Sequence, residues 1–399
     1  MTPAPMRAAS PARLLAALSA AALLAGCSNM PSWSIPAPSF DWITGRGVSM
    51  KPGPLPELSG ATVNPAIAWQ SNIGRSQPGL APAITQDAIF AAAADGTLVR
   101  IEPDSGRIEW RISAGKPLAA GPGADSTLVV VATDKGDVLA FTADGKPAWT
   151  ARVSSEVTSP PTVADGVVIV ASGDGRIYGL NRADGKTKWV NERNHPPLTV
   201  RNHAGAVVSR GGIFMGLPGG RLLAMDIQTG AVGWDAGVAT PKGATELERI
   251  ADVTSRPLVE ERQACAVAFQ GRLACFELVR GAINWSRDLS SLTGLASDAA
   301  AIYVVDDTGA LHALDKATGA SLWKQDRIAG RKPRGAQVLG THVGVVDVAG
   351  FLHLFDASTG TYVGRLATDG SAPTGQPQRL GERMVWQSAA GTVHAVQVR

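Results

Sequence analysis

Residues 174–189 read DGRIYGLNRADGKTKW. Two Asp-Gly pairs, at 174–175 and 184–185, enclose RIYGLNRA, of which RIYGLN reads as a strand, and KTKW follows. Asp-Gly marks tight turns because those turns need positive φ, which Gly adopts freely. Upstream, PPTV, the turn ADG and the run VVIVA lead into the same stretch. The spacing predicts four short antiparallel strands joined by tight turns.

The pattern returns along the chain. DGTLVRIEPDSGRIEW (95–110), KGDVLAFTADGKPAW (135–149) and GGRLLAMDIQTGAVGW (219–234) repeat it. So do QGRLACFELVRGAINW (270–285) and TGALHALDKATGASLW (308–323). AGFLHLFDASTGTYVG (349–364) puts Gly364 where Trp is expected, and AGTVHAVQVR is cut off by the chain end. The first Gly of each copy falls at 96, 136, 175, 220, 271, 309, 350 and 391. Periods near 40 with four strand signals each are a propeller signature. The Trp positions are Trp110, Trp149, Trp189, Trp234, Trp285 and Trp323, which explains why Trp (10) outnumbers Phe (8) and Tyr (3).

The third strand of each copy sets the packing. Two residues after the first Gly the side chain is aliphatic: Leu98, Val138, Ile177, Leu222, Leu273, Leu311, Leu352 and Val393. Five residues after, it is bulky and apolar: Ile101, Phe141, Leu180, Met225, Phe276, Leu314, Phe355 and Val396. Those offsets have opposite parity and lie on opposite faces of a strand. Both faces are therefore covered, as between neighbouring blades. The last copy lacks a fourth strand, and Trp69 in PAIAWQ stands 41 residues before Trp110 with no hairpin ahead of it. The expected fold is all-β: an eight-bladed propeller of four-stranded antiparallel blades, closed by the N-terminal strand so that no edge stays free. The propeller is assigned to residues 60–399.

The first 26 residues read as a targeting segment. Arg7 and Arg13 precede the apolar run Leu14–Ala25, which is too short to span a bilayer as a helix. LAG followed by Cys27 resembles the bacterial lipoprotein box, in which that Cys is lipidated and becomes the first mature residue. Ser28, rather than Asp, points by the same resemblance to the outer membrane. The competing reading is an ordinary secretory signal with an incidental Cys. Residues 27–59 are rich in Pro and Gly and read as a tether. Trp33, Phe40 and Trp42 within it either touch a membrane or pack on the fold. The net charge of +3 gives no strong pull toward nucleic acid.

No nucleophile motif, zinc-protease motif, P-loop or dinucleotide fingerprint is present, so no catalytic residue is assigned. His312, His353 and His394 each stand three after a first Gly. Sheets pack ~10 Å apart, so the outer two of three neighbours would lie roughly 20 Å apart, beyond one ion's reach. The expected metal set is none, with these His in inter-blade packing. His195 and His203 have no partner at metal-like spacing. Cys265 and Cys275 flank a hairpin and face each other if its turn centres on Gln270; a one-residue shift separates them.

Two spacings between first Gly positions exceed the rest, 45 and 51 residues. The first holds NERNHPPLTVRNHAG (191–205). The second holds GATELERIADVTSRP (243–257), which reads as one or two helical turns capped at Thr245. Both follow a fourth strand and should emerge on one face of adjacent blades, where repeat proteins place their binding loops. Leu198, Val200 and Arg201 from one loop, and Glu246, Arg249 and Asp252 around Leu247 and Ile250 from the other, have the makings of a protein-binding patch.

The lipoprotein box, the tether and the Trp-ended eight-fold repeat together resemble the BamB family, lipoprotein propellers of the outer-membrane β-barrel assembly machinery. PPLTVR (196–201) and GATELERIADV (243–253) are similar to that family's two docking segments. The resemblance implies a non-catalytic scaffold without cofactor, anchored through Cys27 at the periplasmic face of the outer membrane. It implies contacts from Leu198, Val200, Arg201 and Asp252 to the POTRA domains of BamA, alongside other Bam subunits and unfolded outer-membrane proteins. One departure is Thr254, where family members can carry a second acid. Quinone-cofactor dehydrogenases share the repeat. Their longer chain, Ca²⁺ site, Asp base and adjacent Cys pair cannot be assembled from this sequence.

Overall fold

A computed structural model of the chain describes residues 52–58, 60–193, 196, 198–200 and 205–398. Cys27, Trp33, Phe40, Trp42, His195, Arg201 and His203 lie outside the described residues. The segment quoted first forms the third blade: Thr162–Ala164, Val167–Ala171, Arg176–Asn181 and Thr187–Glu192, hydrogen-bonded in that order. Its first turn places Asp165 and Gly166 at φ 48° and 78°, the geometry the Asp-Gly pair foretold.

Eight such sheets follow one another in a ring. The first strand of each blade packs against that of the next, so first strands line the axis and fourth strands the rim. Every aliphatic and bulky third-strand position identified from the repeat is buried. The two faces serve different cores. Leu98 packs with Val129 and Val131 of the second blade, whereas Ile101 packs with Val385 and Val393 of the eighth.

The Trp and the second Gly of successive repeats form one device. Each indole Nε1–H donates to a carbonyl in the next blade, as from Trp149 to Arg182 O at 2.8 Å and from Trp285 to Lys316 O at 3.0 Å. The ring lies flat on the next blade's second Gly: a Cβ on Gly185 would sit 2.5 Å from Trp149 Cε3, and one on Gly319 2.3 Å from Trp285 Cε3. These glycines also hold φ near 70°, so both space and backbone exclude other residues.

Gly364 departs from the Trp pattern for a structural reason. The chain entering the ring crosses this point, and a Cβ on Gly364 would meet Val63 O at 2.8 Å. Thr62 and Val63 N–H groups both donate to Val363 O. Pro65–Asn72 then pairs antiparallel with Thr392–Val398, from Pro65 against Val398 to Asn72 against Thr392. Residues 52–58, read from sequence as tether, already lie against the seventh blade. Gly53 N–H donates to Gly330 O at 2.7 Å, and Arg331 Nη1 and Arg365 Nη1 donate to Gly53 O and Pro56 O.

The two insertions join a rim strand to the axial strand of the next blade. One runs from Thr187–Glu192 to Val207–Ser209, the other from Val232–Gly237 to Leu258–Val259. Strand alternation brings both out on one face.

Candidate partner-docking site

The second insertion contains a single hydrogen-bonded turn and no helix. Glu248 Oε2 accepts from Ala244 and Thr245 N–H at 2.7 and 3.1 Å, Thr245 Oγ1 accepts from Glu248 N–H at 3.3 Å, and Arg249 N–H reaches Thr245 O. Thr245 caps as expected, and Glu248 completes a reciprocal capping arrangement with it. Those backbone donors hold the Glu248 carboxyl below its ordinary value. Propagation stops as the chain turns inward: Ile250 is buried, and Ala251 and Val253 enter the core between blades four and five. Val253 fits only because residue 216 is Gly: a Cβ there would sit 2.3 Å from Val253 Cγ1.

Asp252 was expected at the contact surface, and the structure places it elsewhere. It is 1 % exposed, and its two oxygens accept from Val200 N–H at 2.6 Å and Gly219 N–H at 2.8 Å. A buried carboxylate demands donors, and two backbone N–H groups supply them. Asp252 thus ties the second insertion to the first and fixes where Leu198 stands. Thr254, the departure from the family pattern, is also buried, and its Oγ1–H donates to Leu292 O at 3.2 Å. An ionised carboxylate has no proton to donate there.

The surface that remains carries Leu198, 43 % exposed, beside the turn with Leu247, Glu246 and Arg249. Val200 is half-buried. Glu246 and Arg249 pair with each other at 3.4 Å, and Arg249 Nε also donates to Gly243 O. Exposed pairs of this kind add little stability, so both side chains are free to exchange partners.

A cavity of about 550 Å³ opens between blades three and four beside Thr199. Arg176, Glu192, Arg193, Arg221 and Asp235 line it with Met215. Asp235 pairs with Arg193 and, at 2.7 Å, with Arg221. Burial, then the neighbouring Arg221 charge, lower the Arg193 pKa. Sequence reasoning missed this cluster. Its signal was Arg221 directly after a first Gly and Asp235 directly after a repeat Trp, two positions that stand diagonally across paired strands.

Residues tested for other chemistry settle locally. His312 Nε2 lies 2.8 Å from Asp306, and His353 Nε2 2.9 Å from Asp347. His394, also buried, has Nε2 3.3 Å from Asp369. Among the described residues no three His, Cys, Asp or Glu are grouped to hold a metal ion. Cys265 and Cys275 stand opposite in register, Cα atoms 4.0 Å apart, and their sulfurs are bonded within the core.

The brace makes a testable demand. Asp252→Ala should cost about 1–3 kcal/mol by leaving two N–H groups unsatisfied. Hydrogen exchange should accelerate at Val200 and Gly219 while the blade strands stay protected. Unchanged exchange at both amides would show that the brace does not hold the loop.

A family model described as Outer membrane protein assembly factor BamB matches residues 94–325. The chain is 39% identical to the outer membrane protein assembly factor BamB of Nitrosomonas eutropha, covering 85% of this chain and 83% of that one. It is 38% identical to that of Bordetella pertussis over 83% of this chain and 86% of the other. Among solved structures, BamB from Moraxella catarrhalis aligns with a TM-score of 0.78 at 26% identity, covering 84% and 99% of the two chains. A quinohemoprotein alcohol dehydrogenase from Comamonas testosteroni aligns at 0.67 with 12% identity over 83% and 76%, a likeness of fold alone. With the eight-bladed ring and the paired insertions in place, the chain belongs to the BamB family of outer membrane protein assembly factors.

Proposed function

We propose that this chain is a non-catalytic scaffold that docks on the POTRA domains of BamA through the face carrying its two insertions. The carrying observation is the Asp252 brace, which fixes two loops from different blades into one surface with Leu198 and Leu247 exposed. Apolar anchors beside an Arg and exchangeable charges suit a protein interface. Arg201, next in sequence to the braced Val200, supplies the expected positive group, and Glu246 and Arg249 supply a charge of each sign beside it. The anchor is lipidated Cys27, which holds the propeller at the periplasmic face of the outer membrane. Half-exposed rim strands, such as Ile108–Ser113, offer edges to unfolded barrel strands by β-augmentation.

Co-purification from detergent-solubilised outer membranes tests this reading. BamA should accompany the wild-type chain, and Arg201→Glu should lower its recovery at least tenfold while leaving the unfolding midpoint within a degree or two. Absence of BamA from the wild-type sample would end the scaffold reading. The alternative is a quinone-cofactor dehydrogenase, favoured only by the shared fold. Quinone-dependent dye reduction by the purified chain should be blank, and turnover would promote that alternative.

A further inference from the structure

The cavity of about 550 Å³ between blades three and four is bordered by the first insertion. Thr199 and Pro218 line it, and each stands one residue from a backbone N–H held by the Asp252 brace, those of Val200 and Gly219. The brace therefore fixes one edge of the cavity and sets it beside the exposed Leu198. Its floor is apolar. Ile177 and Met215 line it and belong, with Leu223, to the core between the same two blades.

The charges around this floor are unevenly distributed. Arg176, Arg193, Arg221, Glu156, Glu192 and Asp235 all line the cavity. Arg176 is compensated twice, by Asp174 at 3.1 Å and Glu192 at 2.7 Å. Where the two blades meet, the ratio reverses: Arg193 and Arg221 share the single carboxylate of Asp235. The side chains of Arg193 and Asp235 are only 25 % and 23 % exposed, so this excess positive charge sits inside. Glu156 and Glu192 are exposed.

Both guanidiniums keep donors to spare. Arg221 gives Nε and Nη2 to Asp235 Oδ1 and O, at 2.7 and 2.8 Å, and Arg193 turns Nη2 toward Oδ2. A guanidinium has further N–H groups in the same plane, and a carboxylate accepts such groups side by side. One excess charge is balanced by one monoanion. A phosphate dianion would overshoot it and meet the repulsion of Glu156 and Glu192. The methylenes of an acidic side chain also suit the floor of Ile177 and Met215.

We propose that this cavity is a socket for the acidic side chain, Asp or Glu, of a polypeptide lying across the insertion face, its carboxylate received by Arg193 and Arg221. That a docked polypeptide supplies the side chain rests on the docking reading; the socket rests on its own charges.

Calorimetric titration of the full mature chain in detergent, at constant ionic strength in chloride, tests the socket without BamA. Its failure is thus distinct from a failure of co-purification. The blocked peptide acetyl-Ala-Glu-Ala-amide should bind saturably at one site per chain. Acetyl-Ala-Gln-Ala-amide and inorganic phosphate should each bind roughly tenfold more weakly or worse, the value of one charge-assisted contact. Arg193→Gln should weaken the Glu peptide by a similar factor. Asp235→Asn doubles the excess charge, so it should tighten the Glu peptide and let phosphate compete. A cluster with a purely structural role would instead weaken every probe in that variant. No saturable binding of the Glu peptide overturns the proposal, as does equal binding of the Gln peptide or binding that Arg193→Gln and Asp235→Asn both leave unchanged.

Discussion

Trp69→Ala should destabilise the chain by about 3–5 kcal/mol, the usual cost of truncating a buried Trp. The residue belongs to the N-terminal strand yet serves the joint between the last blade and the first. Its Nε1–H donates to Pro103 O at 2.8 Å, and a Cβ on Gly106 would sit 2.5 Å from its ring. It packs with Ile89 and Val99 of blade one and Val385 and Val393 of blade eight. Equilibrium denaturation gives the energy, and limited proteolysis gives the place. The first cut should move to residues 60–72 in the variant. A loss under about 1 kcal/mol, small for any buried Trp, would show that the strand pairing closes the ring without this indole.

Asp347→Ala should have a comparable effect, about 3–5 kcal/mol, because removing one partner of a buried ion pair strands the other. Asp347 is fully buried and accepts from Arg331 Nε, His353 Nε2, and the N–H groups of Ala349 and Phe351. Burial raises its pKa, but the hydrogen bonds from His353, Phe351 and Arg331 outweigh it, and the net shift is downward. Burial lowers His353, more than the neighbouring carboxylate raises it. The imidazole is then neutral, Nε2–H donating to Asp347 and Nδ1 accepting from the Tyr362 hydroxyl at 2.8 Å. The signs follow by linkage. With His353 lowered, the unfolded chain takes up the proton first, so stability is complete above about pH 6.5 and declines below it. With Asp347 lowered, a second contribution persists down to about pH 4 and is lost beneath it. His353→Gln should reduce the first decline in a pH series of unfolding midpoints, leaving the share of His394, which burial also lowers, and leaving the second. A first decline of equal size in the variant would assign it to another group.

The ring was legible because its determinants are periodic. A Gly fixes each turn, an aliphatic two residues on fixes one face, and a Trp four after the second Gly fixes the rim joint. Gly364 was legible only as an exception, since the chain crossing it comes from 300 residues earlier. The face proposed for docking was half legible. Loop lengths pointed to the two insertions, and Leu198 is exposed. Asp252 was misjudged because a carboxylate in a charged loop reads as surface. Its burial depends on backbone donors at Val200 and Gly219, which belong to other elements. The Arg193–Asp235–Arg221 cluster likewise arises only when blades three and four meet. One repeat shows Arg221 and Asp235, but the cavity also needs Arg176, Glu192 and Arg193 from the blade before.

The pairing of Pro65–Asn72 with Thr392–Val398 makes the first and last strands of the propeller one sheet. The ring therefore cannot close while the chain is still being delivered. Until residue 398 arrives, the strand that carries Trp69 has no sheet to join and the eighth sheet lacks its centre. Seven blades can form in order as they emerge, each on local contacts, but the closing contacts span the whole chain and come last. A polypeptide interrupted before Thr392–Val398 remains an open arc with unpaired edges, exposed to proteases and to other strands. Arrival of Thr392–Val398 is thus read out as closure of the circle.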